Sequence, residues 1–218
     1  MSNQHVVVIF PHPDDESFGA SGTISKFRAE GIPVTYLCGT LGEMGRNMGS
    51  PVFANRETLS SYRKQELTEA ARRLDIDVEL LGYRDKTLEF EPREEVADYL
   101  LKRLKALQPS LVITHYPGYA VHPDHDALAA AAVSAVGQMD ESLRPEVWMH
   151  AISNHHEEDL GEPDYILDIE PYWEQKLAAI QAHLSQADGM MSLIDNHDKK
   201  SEQTARLKLE RFYKWKFT

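Results

Sequence analysis

The chain has little of the chemistry that several protein classes require. A single cysteine, Cys38, in 218 residues excludes an internal disulfide framework and any multi-cysteine zinc site. No apolar stretch approaches the roughly 20 residues of a membrane helix. The opening MSNQHVVVIFPHPDDE has no basic n-region, which is not the pattern of a signal peptide. Basic residues are scarce beside acids: 23 Lys+Arg against 35 Asp+Glu leave a formal charge of −12. That field repels phosphate backbones and anionic lipid. The expectation is a cytoplasmic protein without nucleic-acid or membrane partners.

What is present is a globular balance, 42% hydrophobic and 27% charged, enough for a real core without cross-links. Short β-branched runs alternate with longer helical patterns, the signature of βαβ units and a parallel sheet. Strands are expected at Val6–Phe10, Val34–Cys38, Val78–Leu81, Leu111–Thr114, Glu146–Ala151 and Tyr165–Asp168. Helices are expected at Ser17–Glu30, Leu59–Leu74, Pro92–Leu107, Pro123–Gln138, Pro171–Ser185 and Glu202–Tyr213. No linker or repeat divides residues 1–218, which read as one α/β domain: Rossmann-like, a mostly parallel sheet with helices on both faces. With strand order 3-2-1-4-5, the first and fourth strands meet at the topological switch point, outside whose carboxyl ends ligands bind.

The segments that follow those two strands carry the informative residues. After the first comes His12-Pro13-Asp14-Asp15-Glu16. A phosphate-binding turn there would be glycine-rich, and three acids would repel a pyrophosphate, so dinucleotide and nucleoside-triphosphate binding are disfavoured. There is no G-x-S-x-G elbow for a serine hydrolase either. After the fourth strand comes His115, then His122-Pro123-Asp124-His125-Asp126. In both segments a proline stands where it can open a helix at its first position. Imidazoles and carboxylates from two adjacent strand ends match catalytic zinc sites, which use three such protein ligands and leave a position open for water. Chemistry alone assigns two of His12, Asp14 and Asp15 and one of His122 and His125 to the metal. A second carboxylate, beside the ligand, is left to act as general base.

These residues resemble the two signature motifs of the PIG-L/LmbE-like family of zinc-dependent N-acetylglucosaminyl deacetylases, which have a Rossmann-like fold. Further marks are Gly42-Glu43-Met44-Gly45, Arg63-x-x-Glu66 and Lys176…His183-x-Ser185-Gln186. The resemblance implies one Zn²⁺ per chain on His12, Asp15 and His125. It implies Asp14 as general base and His122 as the group that polarises the carbonyl or, protonated, stabilises the oxyanion. Fe²⁺, Co²⁺ or Mn²⁺ would suit the same ligands. The stretch from Cys38 to Leu59 is most similar to the bacillithiol-biosynthesis branch, which implies hydrolysis of N-acetylglucosaminyl-malate to glucosaminyl-malate and acetate. Its small amidosugar substrate would meet Arg63 and Asp85 on the sugar side and Arg46 at the malate carboxylates. A homo-oligomer is expected.

Other readings compete. A phosphoesterase on the same site would need a second metal, for which Asp124, Asp126 and His115 are spare. A sugar-binding module would not need Asp14. A bacillithiol S-conjugate or a simple N-acetylglucosaminide are alternative substrates. Cys38 reads as a core residue, His115 as a buried histidine or metal-site support, and His155 and His156 as a solvated loop. His183 reads as structural, or as support for His122 or Asp14. The basic, aromatic Arg211–Phe217 reads as packing of a last helix or a subunit contact.

Overall fold

The computed structural model describes residues 4–189, 191, 192 and 206–217. Seven strands form a sheet: β1 (Val6–Phe10), β2 (Val34–Cys38), β3 (Asp77–Leu80), β4 (Leu111–His115), β5 (Glu146–His150), β6 (Tyr165–Asp168) and β7 (Leu209–Lys214). Their order is β3-β2-β1-β4-β5-β7-β6. The first five are parallel, as the sequence leads one to expect, and β7 runs antiparallel to both β5 and β6.

β1 is buried along its whole length, so its run of apolar residues serves two cores. Val7 and Ile9 face the core built with Leu100 and Leu104 of α4 (Arg93–Leu107) and Leu128 and Ala132 of α5 (Pro123–Gly137). Val6, Val8 and Phe10 face the core built with Ile24 of α2 (Ser21–Ala29), Leu67 of α3 (Leu59–Leu74) and Ala179 of α7 (Trp173–Ala182). Alternation along the strand thus puts helices on both faces.

The helix expected over Ser17–Glu30 is instead two pieces, α1 (Asp15–Gly19) and α2, broken at Ala20 with φ −143 and ψ 1. The break lies between two glycines in close contact with neighbours: a Cβ on Gly19 would lie 2.8 Å from His150 Nδ1, and one on Gly22 2.6 Å from Ile169 Cβ. The last helix expected over Glu202–Tyr213 is also corrected. Residues 202–205 lie outside the described residues, and Leu209–Lys214 is strand β7. The loop at Asn154–Asp164 contains a short helix, α6 (His156–Leu160). No helix among the described residues is long and apolar enough to cross a membrane.

Candidate metal centre and active site

The two histidine–carboxylate segments meet at the carboxyl ends of β1 and β4, which pair directly. Local folding differs between them. At the second, Pro123 occupies the first turn of α5 and His122 caps it, its Nδ1 accepting the Asp124 N–H at 3.2 Å. Asp124 and Asp126 fall in that first turn, where carboxylates complement the helix dipole. At the first, Pro13 lies outside the helix, because Asp14 is the residue that precedes α1. Asp14 adopts φ 122 and ψ −29, and Val121, just before His122, adopts φ 56. Positive φ is costly for any residue with a Cβ and most of all for a β-branched one, so strain is concentrated in both segments.

Three donors converge. His12 Nδ1 lies 3.1 Å from His125 Nε2 and 3.6 Å from Asp15 Oδ2, and His125 Nε2 lies 3.4 Å from Asp15 Oδ1. The partners of the opposite ring nitrogens define the tautomers. His125 Nδ1–H donates to the Ala120 carbonyl at 2.9 Å, and His12 Nε2–H donates to Asp85 Oδ1 at 3.2 Å. Two lone pairs and a carboxylate oxygen therefore face one point, an arrangement that calls for a cation between them. Overlapping groups extend it: His12, His122 and His125; Asp15, His115 and His125; and His12, Asp85 and Asp124 each bring ligand atoms within 4.8 Å of one another. The donor set suits a divalent metal of the zinc type.

The carboxylates around this point favour positive charge, which a bound cation would supply in place of a ring proton. Burial pulls His12 down, but Asp124, Asp15 and Asp85 outweigh it and hold the ring well above its ordinary value. Burial raises Asp15, yet His125 and His12 hold it far below the carboxylate range. Asp14 goes the other way: burial, resisted by Arg63, pushes it up to about 6. Burial and the neighbouring His12 and His125 lower His122. Because Nδ1 of His122 accepts a backbone N–H, the geometry favours a neutral ring that donates through Nε2 over the protonated one expected from the sequence.

Three sequence-predicted substrate contacts sit in contrasting surroundings. Arg63 is 4% exposed. Its guanidinium donates to the Gly42 and Pro13 carbonyls and lies 3.1 Å from Asp14 Oδ2, so it faces Asp14. Both oxygens of Asp85 are engaged, one by His12 and the other by the Met44 N–H at 2.8 Å. Arg46 is exposed on the loop after β2, where Gln186 Nε2 grips its carbonyl at 2.8 Å.

Sequence reasoning underrated several residues. Asp124, counted as spare, is fully buried, accepts the N–H groups of Lys86 and Leu88, and reaches His12 Nε2 at 3.5 Å. Its place inside the second motif was the available signal. His115 stacks on His125 at 4.0 Å with the planes 6° apart. Burial, then His125, His150 and His12, keeps it well below its ordinary value against the pull of Asp15. Glu16 and Glu66 are buried acceptors for His183 and Ser185 respectively. Nothing short of the fold reveals those pairings across more than a hundred residues.

The profile of the PIG-L family, described as GlcNAc-PI de-N-acetylase, matches residues 7–136. A Bacillus subtilis (strain 168) protein named as a probable N-acetyl-alpha-D-glucosaminyl L-malate deacetylase 2 is 47% identical, over 98% of this chain and 97% of its own. The N,N'-diacetylchitobiose deacetylase of Pyrococcus horikoshii superposes with a TM-score of 0.73 at 27% identity, covering 97% of this chain and 84% of that one. A 4-carboxy-2-hydroxymuconate hydratase, GalB of Pseudomonas putida KT2440, reaches 0.75 at 20% identity over 99% and 97% of the two chains. That likeness concerns fold alone. One fold hosts both reactions, so the site and not the fold must choose between them.

Proposed function

The chain belongs to the PIG-L family of de-N-acetylases, and from that premise we propose that it hydrolyses the acetamide of N-acetylglucosaminyl-malate, in the cytoplasm, for bacillithiol biosynthesis. The observation that carries the reaction class is the convergence of His12, Asp15 and His125 with Asp14 one residue away. Those three residues would hold the metal, with zinc the favoured ion. When bound, a divalent cation there supplies Lewis acidity, which lowers the pKa of water and polarises a carbonyl.

The remaining chemistry belongs to side chains. Asp14 accepts the proton of the attacking water through Oδ1, while Oδ2 stays against Arg63. The water oxygen adds to the acetyl carbon, and His122 Nε2–H donates to the carbonyl oxygen as it gains charge. A preorganised donor of this kind is worth about 100–1000-fold in rate. The C–N bond then breaks, Asp14 passes its proton to the leaving amine, and acetate and glucosaminyl-malate result. Asp85 and Asp124 hold His12 with its Nδ1 lone pair turned inward, a contribution that supports ligand orientation and basicity. The exposed Arg46 is proposed to meet the malate carboxylates, since the guanidinium fork matches a carboxylate in two bonds. Arg63 is proposed to act on Asp14 rather than on the sugar.

The test is acetate and free-amine release from a panel of N-acetylglucosaminides after metal analysis. One equivalent of metal per chain and preferential release from the malate conjugate are expected. Metal retention with no hydrolysis of any amidosugar would replace this reading with a binding module.

A further inference from the structure

The Asp14 backbone is the most strained feature of the site, and something must hold it. With φ 122 and ψ −29, it lies where a residue with a Cβ persists only if its surroundings impose the conformation. The surroundings are specific. Glu16 folds back so that Oε2 accepts the Asp14 N–H at 3.0 Å. Its Oε1 accepts from Ser17 Oγ at 2.7 Å and pairs with His183 Nε2 at 2.9 Å. Glu16 and His183 are both 0% exposed. One turn further along α1, the Phe18 carbonyl accepts from Lys176 Nζ at 2.8 Å. Lys176 is on α7 and His183 directly follows that helix, so α7 and the residue after it grip α1 at two points.

Helix capping alone is a poor explanation. α1 has five residues, and a single capping bond contributes only about 1 kcal/mol. Burying a carboxylate and an imidazole completely to cap one and a half turns would be a poor exchange. The same pair also sets the peptide that carries the side chain opposite Arg63. We propose that Glu16 and His183 are positioning residues for Asp14: their buried pair clamps the strained Asp14 peptide and thereby fixes where the base meets water and the leaving amine. The inference rests on Asp14 being the base.

The clamp acts on orientation, and a displacement of about 1 Å can cost roughly 100-fold. Glu16→Ala removes the acceptor, and kcat should fall by about 100-fold, with KM within about threefold and metal content unchanged. Glu16→Gln keeps an amide oxygen for the Asp14 N–H and should recover most of the loss. His183→Ala leaves the first segment intact, covers the case in which Glu16→Ala fails to fold, and should lose about tenfold in kcat with metal retained. The experiment measures kcat, KM and metal stoichiometry for all three, alongside thermal unfolding. Unchanged kcat in folded, metal-loaded Glu16→Ala and His183→Ala would overturn the inference, as would a Gln variant no better than Ala. Failure of the unmodified protein to release acetate would instead overturn the deacetylase reading.

Discussion

Asp14 and Asp15 are adjacent carboxylates with opposite electrostatics, and their division of labour can be tested one residue at a time. His125 and His12 hold Asp15 ionised against its burial, as a ligand should be, whereas burial lifts Asp14 to about 6, as suits a base that must take and return a proton. His12→Ala, Asp15→Ala and His125→Ala should each purify without metal, whereas Asp14→Asn should retain about one equivalent and lose most of its activity. Equal metal loss in Asp14→Asn and Asp15→Asn would mean that the pair is divided wrongly. As the proposed base, Asp14 would work ionised, so kcat/KM should fall as pH drops through a value at or below about 6. Arg63 is the foremost of the cations that pull Asp14 down, ahead of His183 and His12, so Arg63→Gln should move that acid limb to higher pH and lower kcat more than it raises KM. A change in KM alone would return Arg63 to the sugar, where the sequence resemblance put it. The two His-Pro-Asp segments were legible because they repeat at adjacent strand ends. The engagement of Asp85 and Asp124 with His12 was not legible: it depends on loops from β3 and α5 closing over one ring.

At the scale of elements, β1, β2 and β4 were legible as short apolar runs buried along their whole length, whereas β3 and β5, only partly buried, were legible from shorter apolar stretches between helical patterns. β7 was not. Its Leu-Glu-Arg-Phe-Tyr-Lys composition favours helix in part, and the period-two pattern is masked by a charged residue on the core side. Glu210 and Phe212 are both buried, and Glu210 is there because Lys176 pairs with it and the Gly22 and Thr23 N–H groups donate to it at 3.0 and 2.7 Å. One side chain thus ties β7 to α2 and α7. Breaking a buried pair by removing one partner costs about 3–5 kcal/mol. Lys176→Met should therefore lower the unfolding free energy by about that much, and Tm by on the order of 10 °C. A loss below about 1 kcal/mol in denaturant unfolding would show that the pair is not what holds β7 in place.

For the molecule as a whole, a charge of −12 repels a dianionic substrate, so any preference for one must come from a few close cations. A charged hydrogen bond contributes about 1.5–3 kcal/mol, and two give on the order of 100-fold discrimination or more. The malate conjugate should accordingly be cleaved with higher kcat/KM than neutral N-acetylglucosaminides, and added salt should narrow the gap. Arg46→Ala should weaken the malate conjugate and leave the neutral sugar nearly unchanged. Turnover of charged and neutral substrates at equal rates would leave a generalist amidosugar deacetylase. In the proposed reaction, a metal held by His12, Asp15 and His125 works with Asp14 to hydrolyse an acetamide. The most direct measurement is acetate release from N-acetylglucosaminyl-malate by the unmodified protein and by Asp14→Asn, at matched metal content. Rapid release by the first and loss of most activity in the second is the predicted result. Equal rates in the two, or no release by a metal-replete protein, would contradict it.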